Sequence, residues 1–160
     1  MHAAALAETT AEDVSLLYWT GAAWLAAISV SKEDPELIGQ LPQAAALLHR
    51  ALELDPEWED GSIHDMLIVV EPSMPMPGGD ERAREHFRRA VELSDGRRAS
   101  PYVSLATTVS VAEQDREEFV SLLESALAVD PDISPADRLA NLYAQAQARY
   151  YLDHIDDLFI

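Results

Sequence analysis

Apolar positions recur along this chain at helical spacing, and no stretch sustains the alternation of a strand. From Thr10 to about Ser31, Leu17, Trp24 and Ile28 form one stripe, broadened by Tyr18, Ala22 and Leu25. Gly21, Ala22, Ala23, Ala26 and Ala27 are small enough to let another helix approach closely. Ahead of them, Thr10-Ala11-Glu12-Asp13 reads as a capping box. Asp34-Pro35 opens a short helical turn through Gly39, and a helix follows from Pro42 to Leu54 with Ala44, Ala45, Leu48, Ala51 and Leu52 inward. Beyond Pro56 the pattern predicts a short helix over 63–70. The loop over 71–79, with three prolines and two glycines, cannot continue it. A helix over 81–93, capped by Asp80, turns Ala83, Phe87, Ala90 and Val91 inward, and Gly96 is its left-handed stop. Ser100-Pro101 starts a helix carrying Tyr102, Leu105, Ala106 and Val109. The next runs from Glu113 to Val129, with Phe119, Leu122, Leu123, Ala126 and Leu127 inward. The last, from Pro135 to about Asp153, gathers Leu139, Leu142, Tyr143, Ala146 and Tyr150 on one face.

One helix ending occurs three times. It reads Arg50-Ala51-Leu52-Glu53-Leu54-Asp55-Pro56, then Arg89-Ala90-Val91-Glu92-Leu93-Ser94-Asp95, then Ser125-Ala126-Leu127-Ala128-Val129-Asp130-Pro131. The recurring alanines, Ala51, Ala90 and Ala126, lie 39 and 36 residues apart, a period that belongs to stacked helical hairpins. Ala83, Phe87 and Ala90 follow the Ala-x3-Phe-x2-Ala pattern of a tetratricopeptide B helix. Ala44, Leu48 and Ala51 replace them in the first hairpin, and Phe119, Leu123 and Ala126 in the third. The Trp-Leu-Gly-Tyr half of that consensus is missing, so the repeats are divergent. The expected fold is all-α: tetratricopeptide-like helical hairpin repeats stacked as an α-solenoid, in a single domain over residues 1–160 with about seven helices. Such an architecture recognises partners more often than it performs chemistry.

Charge and chemistry narrow this further. The formal net charge of −18 argues against nucleic acid and anionic membrane surfaces as general partners. Six of the eleven bases, Arg82, Arg84, Arg88, Arg89, Arg97 and Arg98, fall in one stretch interleaved with Glu81, Glu85, Glu92 and Asp95. Pairing along helix faces accounts for most of them, and a small anion site near Arg97 and Arg98 is the lesser alternative. The absence of cysteine excludes disulfides and thiol chemistry. No run reads as long and apolar enough to span a bilayer, because Val14 to Val30 is interrupted by Ser15, Thr20, Gly21 and Ser29. His64-Asp65 and His86 lack metal spacing, and Ser100, Ser104 and Ser110 lack a nucleophile elbow. No enzyme activity, cofactor or metal is expected.

Several ordered segments carry a more specific signal. They are Leu17-Tyr18-Trp19-Thr20-Gly21-Ala22-Ala23-Trp24, Ser31-Lys32-Glu33-Asp34-Pro35, the Arg50-to-Pro56 ending with Gly61-Ser62-Ile63-His64, and Pro77-Gly78-Gly79 leading into Arg82-Ala83-Arg84-Glu85-His86-Phe87. Ser100-Pro101-Tyr102-Val103-Ser104-Leu105-Ala106, Leu139-Ala140-Asn141-Leu142 and the closing Asp156-Asp157-Leu158-Phe159 complete the set. In this order the chain resembles the TatT family, the T-component accessory proteins of TRAP transporters, from about Leu17 onward. The resemblance implies divergent tetratricopeptide-like repeats in a periplasmic, usually lipid-anchored protein. It implies docking of a substrate-binding P-component, a homotrimer, and a cleft sheltering a small hydrophobic molecule or lipid. Family members typically carry a lipoprotein signal and further N-terminal helices. This sequence starts at Met1 with neither, so it resembles the C-terminal part of the family, and the cytoplasm is the alternative location. A generic tetratricopeptide-like scaffold unrelated to transport is the second reading of function.

The candidate ligand- or partner-binding residues are Tyr18, Trp19, Trp24, Gly78, Gly79 and Tyr102. Trp19 and Trp24 are five apart, so they point to different faces of one helix and cannot both sit in one core stripe. Tyr102 starts a helix, and the glycines of the 71–79 loop allow another backbone or a ligand to come close. Each aromatic also has a plain alternative as core.

Overall fold

The computed structural model describes residues 3–31 and 33–160. Met1, His2 and Lys32 lie outside the described residues, and with them the Lys32 position of the Ser31-to-Pro35 segment. The described residues are predominantly helical, with no strand among them. In chain order the helices are α1 (Ala3–Ala7), α2 (Val14–Val30), α3 (Pro35–Ile38), α4 (Leu41–Leu54), α5 (Trp58–Val70), α6 (Gly79–Leu93), α7 (Ser100–Leu105), α8 (Arg116–Ala128) and α9 (Arg138–Asp153). A π-helical stretch, Ala106–Ser110, prolongs α7. The chain forms two compact units, residues 1–66 and 67–160.

In the first unit α2 packs along α4. Ala44, Ala45, Leu48 and Ala51 are fully buried, as the α4 stripe predicts, and Val14, Leu17, Tyr18 and Ile28 are buried on α2. At Gly21 the contact is tight: a Cβ there would stand 3.2 Å from Leu48 Cδ2. The Asp13 carboxylate accepts from the Thr10 amide at 2.8 Å ahead of α2. Asp34 Oδ1 accepts from the amides of Glu36 and Leu37 at the start of α3. Arg50, the first residue of the recurring helix ending, holds the N-terminal segment. Its Nε donates to the Leu6 carbonyl and Thr9 Oγ1, both at 3.1 Å, and its guanidinium donates to the Thr9 carbonyl at 2.9 Å.

Two features of this unit differ from the sequence reading. Ala11–Val30 forms a continuous 20-residue helical run of mean hydropathy 1.2, which is long and apolar enough to cross a membrane by length and composition. Its small polar residues lower the hydropathy, but Val14–Val30 contains no charge to break the run. The second is a left-handed turn at Glu59, Asp60 and Gly61, with φ of 42°, 53° and 91°, inside α5. Only its right-handed remainder matches the expected 63–70 helix. Left-handed backbone costs a side-chain-bearing residue about 1–2 kcal/mol; Asp60 is of a type enriched there, but Glu59 is not, and the turn was not expected.

In the second unit, Ala83 and Ala90 of α6 form a core with Ile68, Leu105 and Val109, and Phe87 and Leu122 pack against it. A second cluster centres on Val103, Phe119, Leu123, Ala126, Ala144 and Ala148. At the chain's end Phe159 meets Phe119 edge-on, ring centroids 5.0 Å apart. Across both units, eight of the nine B-helix positions (Ala44, Leu48, Ala51, Ala83, Ala90, Phe119, Leu123, Ala126) are buried, and Phe87 is half-buried. Gly96 has φ of 66° and donates its amide to Val91, closing α6 as expected. α8 starts at Arg116, three residues later than expected. Gln114 takes φ of 57°, and the Asp115 side chain accepts from the Glu118 amide at 2.9 Å.

The largest correction concerns α9. The face expected to gather inward, Leu139, Leu142, Tyr143, Ala146 and Tyr150, is exposed, whereas Asn141, Ala144, Gln145 and Ala148 are buried. Hydrogen bonding decides it. Asn141 accepts from the Ala99 amide at 2.9 Å and donates to the Arg97 carbonyl at 2.8 Å. Gln145 Nε2 donates to the carbonyls of Ala126, Leu127 and Val129 at 2.7–3.3 Å, satisfying the open end of α8.

Candidate functional site

On α2 the three aromatic candidates part ways. Tyr18 is buried, its ring 4.6 Å from Trp58 and 5.1 Å from Trp19, the latter edge-on. Trp19 is 60% exposed. Trp24 is half-buried, and its indole N–H donates to Gln40 Oε1 at 3.0 Å. The two tryptophans thus serve different faces, as their five-residue separation requires. Trp19 does not stand alone. Leu16 and Val30 are 68% and 84% exposed, and with exposed Ala23 and Ala26 they fall at i, i+3, i+7, i+10 and i+14. Sequence reasoning missed Leu16 because the Leu17 stripe claimed the helix's inward face. The helix is apolar on both sides, and the outer stripe was legible only as its remainder.

Gly78 and Gly79 have their own local reason. Gly78 takes φ of 77° at the N-cap of α6. A Cβ on Gly79 would stand 2.4 Å from the Glu71 carbonyl oxygen and 3.0 Å from Pro72 Cα. The backbone that approaches Gly79 is therefore the far side of the same loop, and the neighbours of Gly78 are the Arg82 and Glu81 side chains. Arg82 straps that loop, donating to Glu71 Oε2 at 2.5 Å and to the Pro77 carbonyl at 2.8 Å. Glu71 itself is buried, with His86 Nε2 4.0 Å from its other oxygen.

Tyr102 is half-buried and packs edge-on against Phe87, centroids 5.4 Å apart. Its hydroxyl lies 4.0 Å from where a Gly96 Cβ would stand. That places it toward the C-terminal end of α6, whereas Gly78 and Gly79 form the N-terminal end, ~20 Å away at 1.5 Å per residue. The structure joins Tyr18 to Trp19 and Tyr102 to Phe87.

Of the arginines in the 82–98 stretch, Arg89 pairs along its own helix with Glu92 as the interleaving predicts, whereas Arg82, Arg84, Arg97 and Arg98 reach acids outside that stretch. Arg84 bonds both oxygens of Glu118 and reaches Glu113 at 2.6 Å, and Ser110 donates to Glu118 at 2.6 Å. The hydrogen bond from Arg84 holds the Glu118 carboxyl below the usual carboxylate range, against the opposing effect of burial, with Ser110 adding to it. The same bond raises Arg84. Arg97 and Arg98 converge on Asp137, at 3.2 and 3.0 Å. Burial pushes the Asp137 carboxyl up, but the Ser134 hydrogen bond and the two guanidiniums outweigh it and hold it low. Their partner is thus a distant carboxylate, which neither the helix-face pairing nor the anion-site reading named. A depression of about 420 Å³, open to solvent, is lined by Leu6, Ala7, Pro42, Ala46, His49, Arg50 and Glu53. Among the described residues no group of three or more His, Asp or Glu is placed to hold a metal.

Comparison with known proteins places this arrangement. The family model described as TRAP transporter T-component matches residues 1–159. A protein of Treponema pallidum (strain Nichols), described as uncharacterized, is 27% identical over 157 residues, covering 97% of this chain and 49% of its own length. The chain thus spans about half the length of the curated relative it matches.

Proposed function

We propose, from the premise that this chain belongs to the TRAP transporter T-component family, that it is a non-enzymatic accessory component of a TRAP-type transport system. In this reading it docks a substrate-binding P-component in the periplasm and shelters a small hydrophobic ligand, and its copies associate as a homotrimer. The observation that carries the docking role is the outer stripe of α2. Leu16, Trp19 and Val30 stay exposed on a helix with no charged residue, in a chain whose net charge is −18. Trp19 is the centre of the proposed surface, with Tyr18 bracing it from behind and Trp24 fixing the helix through Gln40. Gly78, Gly79 and Tyr102 enter the reading as parts that shape α6 and its loop. The burial of eight of the nine B-helix positions supports the reading of these helices as tetratricopeptide-like repeats.

Native mass spectrometry of the purified chain, with organic extraction of whatever it carries, tests the ligand and trimer parts together. A trimer releasing an apolar molecule is expected. A monomer with an empty extract removes both and leaves the docking claim to be tested alone.

A further inference from the structure

Residues 154–160 lie on α8 as a bound peptide would. α9 ends at Asp153, and a 3₁₀ turn over Ile155–Asp157 carries the chain back to the start of α8. Ile155, Leu158 and Phe159 are half-buried against the cluster that holds Phe119 and Leu123, and the Phe159 ring meets Phe119 edge-on. One side chain grips the backbone of this segment. Gln114 Nε2 donates to the Leu158 carbonyl at 3.1 Å, and the Ile160 amide donates to Gln114 Oε1 at 3.0 Å. Gln114 Nε2 also donates to the Val111 carbonyl at 2.9 Å, which fixes the amide in place.

Gln114 is a costly residue for its position. It takes φ of 57° where the preceding helix closes, with its own amide bonded to the Val111 carbonyl and that of Asp115 to the Ser110 carbonyl. Glycine usually serves that closure, without the steric cost of a side chain. Glycine could not supply the amide that grips residues 158 and 160. The ion pair of Arg116 with Asp156, at 2.7 Å, adds little, because both side chains are exposed and Asp115 and Glu117 flank the arginine. The hold therefore rests on backbone hydrogen bonds and three apolar side chains.

We infer that residues 155–160 form a releasable strap over a peptide groove, and that the groove takes a short segment of another protein carrying the same Ile-x-x-Leu-Phe spacing. The strap is an autoinhibitory contact. A partner's apparent affinity falls by the fraction of chains in which the strap is open. Opening releases one amide grip, one exposed ion pair and half-buried side chains, while Phe119, Leu123, Ala126, Ala144 and Ala148 keep α8 and α9 together. The strap of a second copy suits the groove poorly. Only His154 links the strap to α9, so exchange would draw together two chains of net charge −18. Nothing in this arrangement depends on the transport role.

The test is fluorescence anisotropy of the full chain with a labelled peptide copying residues 153–160. Phe159→Ala, which loosens the strap, is expected to bind the peptide at least about tenfold more tightly than the unmodified chain does. A peptide with Ser at the Leu158 and Phe159 positions should bind neither. Adding Gln114→Ala to Phe159→Ala should weaken binding about tenfold. Equal binding by the unmodified chain and folded Phe159→Ala, or indifference to Gln114→Ala, overturns the proposal. Hydrogen exchange of the unmodified chain reads the strap without any variant. The Leu158 and Ile160 amides should exchange at least about tenfold faster than the Leu123 amide within α8, and one common slow rate for all three overturns the proposal. Dimers of the unmodified chain that Phe159→Ala abolishes also overturn it, by assigning the groove to a second copy.

Discussion

Gly79 sits directly against the carbonyl of Glu71, with the place of its absent Cβ only 2.4 Å from that oxygen. The contact pins the start of α6 to the turn that ends α5, and Arg82 bonds both sides of the loop between them. Gly79→Ala must push one backbone off the other and should cost about 1–3 kcal/mol. Gly78→Ala, strained only by its φ of 77°, should cost about 1 kcal/mol. Urea denaturation midpoints measure both. A Gly79→Ala midpoint equal to the unmodified chain's would show that the loop relaxes freely.

Ala90 occupies the small-residue position of the second recurring helix ending and is 2% exposed in a core with Ile68, Ala83, Leu105 and Val109. Ala90→Leu should overpack it at a cost of about 1–3 kcal/mol. An unchanged midpoint would show that α6 has room at this crossing.

Glu118 supplies a pH-dependent term. Its carboxyl is lowered in the folded state, mainly by Arg84, so its stabilisation is fully present above the unfolded carboxylate value of about 4.3. It is lost as pH falls through the lower folded value. The melting-temperature gap between the unmodified chain and Glu118→Gln should therefore be constant from pH 7 to about 5 and narrow as pH falls toward 3. A gap that does not change with pH would remove Glu118 from the acid response.

Asn141 holds α9 in register by bonding both the Ala99 amide and the Arg97 carbonyl while 1% exposed. Asn141→Ala leaves both groups without that partner and should cost about 1–3 kcal/mol. Gln145→Ala, which frees three carbonyls at the end of α8, should fall in the same range. Hydrogen exchange should rise at the Ala99 amide in the first variant. Unchanged exchange there would mean the bond contributes nothing to holding α9.

What could be read in the chain follows from how local its cause is. The burial of Ala44, Leu48, Ala51, Ala83, Ala90, Phe119, Leu123 and Ala126 is set by helical period and side-chain size, and it was legible. So were the helix starts at Asp34 and Ser100 and the left-handed stop at Gly96. The facing of α9 was not. Period and hydropathy favour Leu139, Tyr143 and Tyr150 inward, while the outcome rests on hydrogen bonds between the Asn141 and Gln145 side chains and backbone groups 16 to 44 positions away. The left-handed turn at Glu59 and Asp60 was hidden because Glu does not favour it and the enrichment of Asp there is too weak to mark two consecutive residues. Within the candidate site, the separation of Trp19 from Trp24 was forced by spacing. The closeness of Gly79 to Glu71 needed the loop's path.

The docking claim is tested most directly by calorimetric titration of the purified chain with a TRAP substrate-binding P-component from the same organism, alongside Trp19→Ala. Trp19 is 60% exposed, so its removal should change stability by no more than about 0.5 kcal/mol. The account predicts saturable binding at about micromolar Kd or tighter, weakened about tenfold or more by Trp19→Ala at unchanged stability. No heat of binding up to about 100 µM, with both proteins folded, would contradict it.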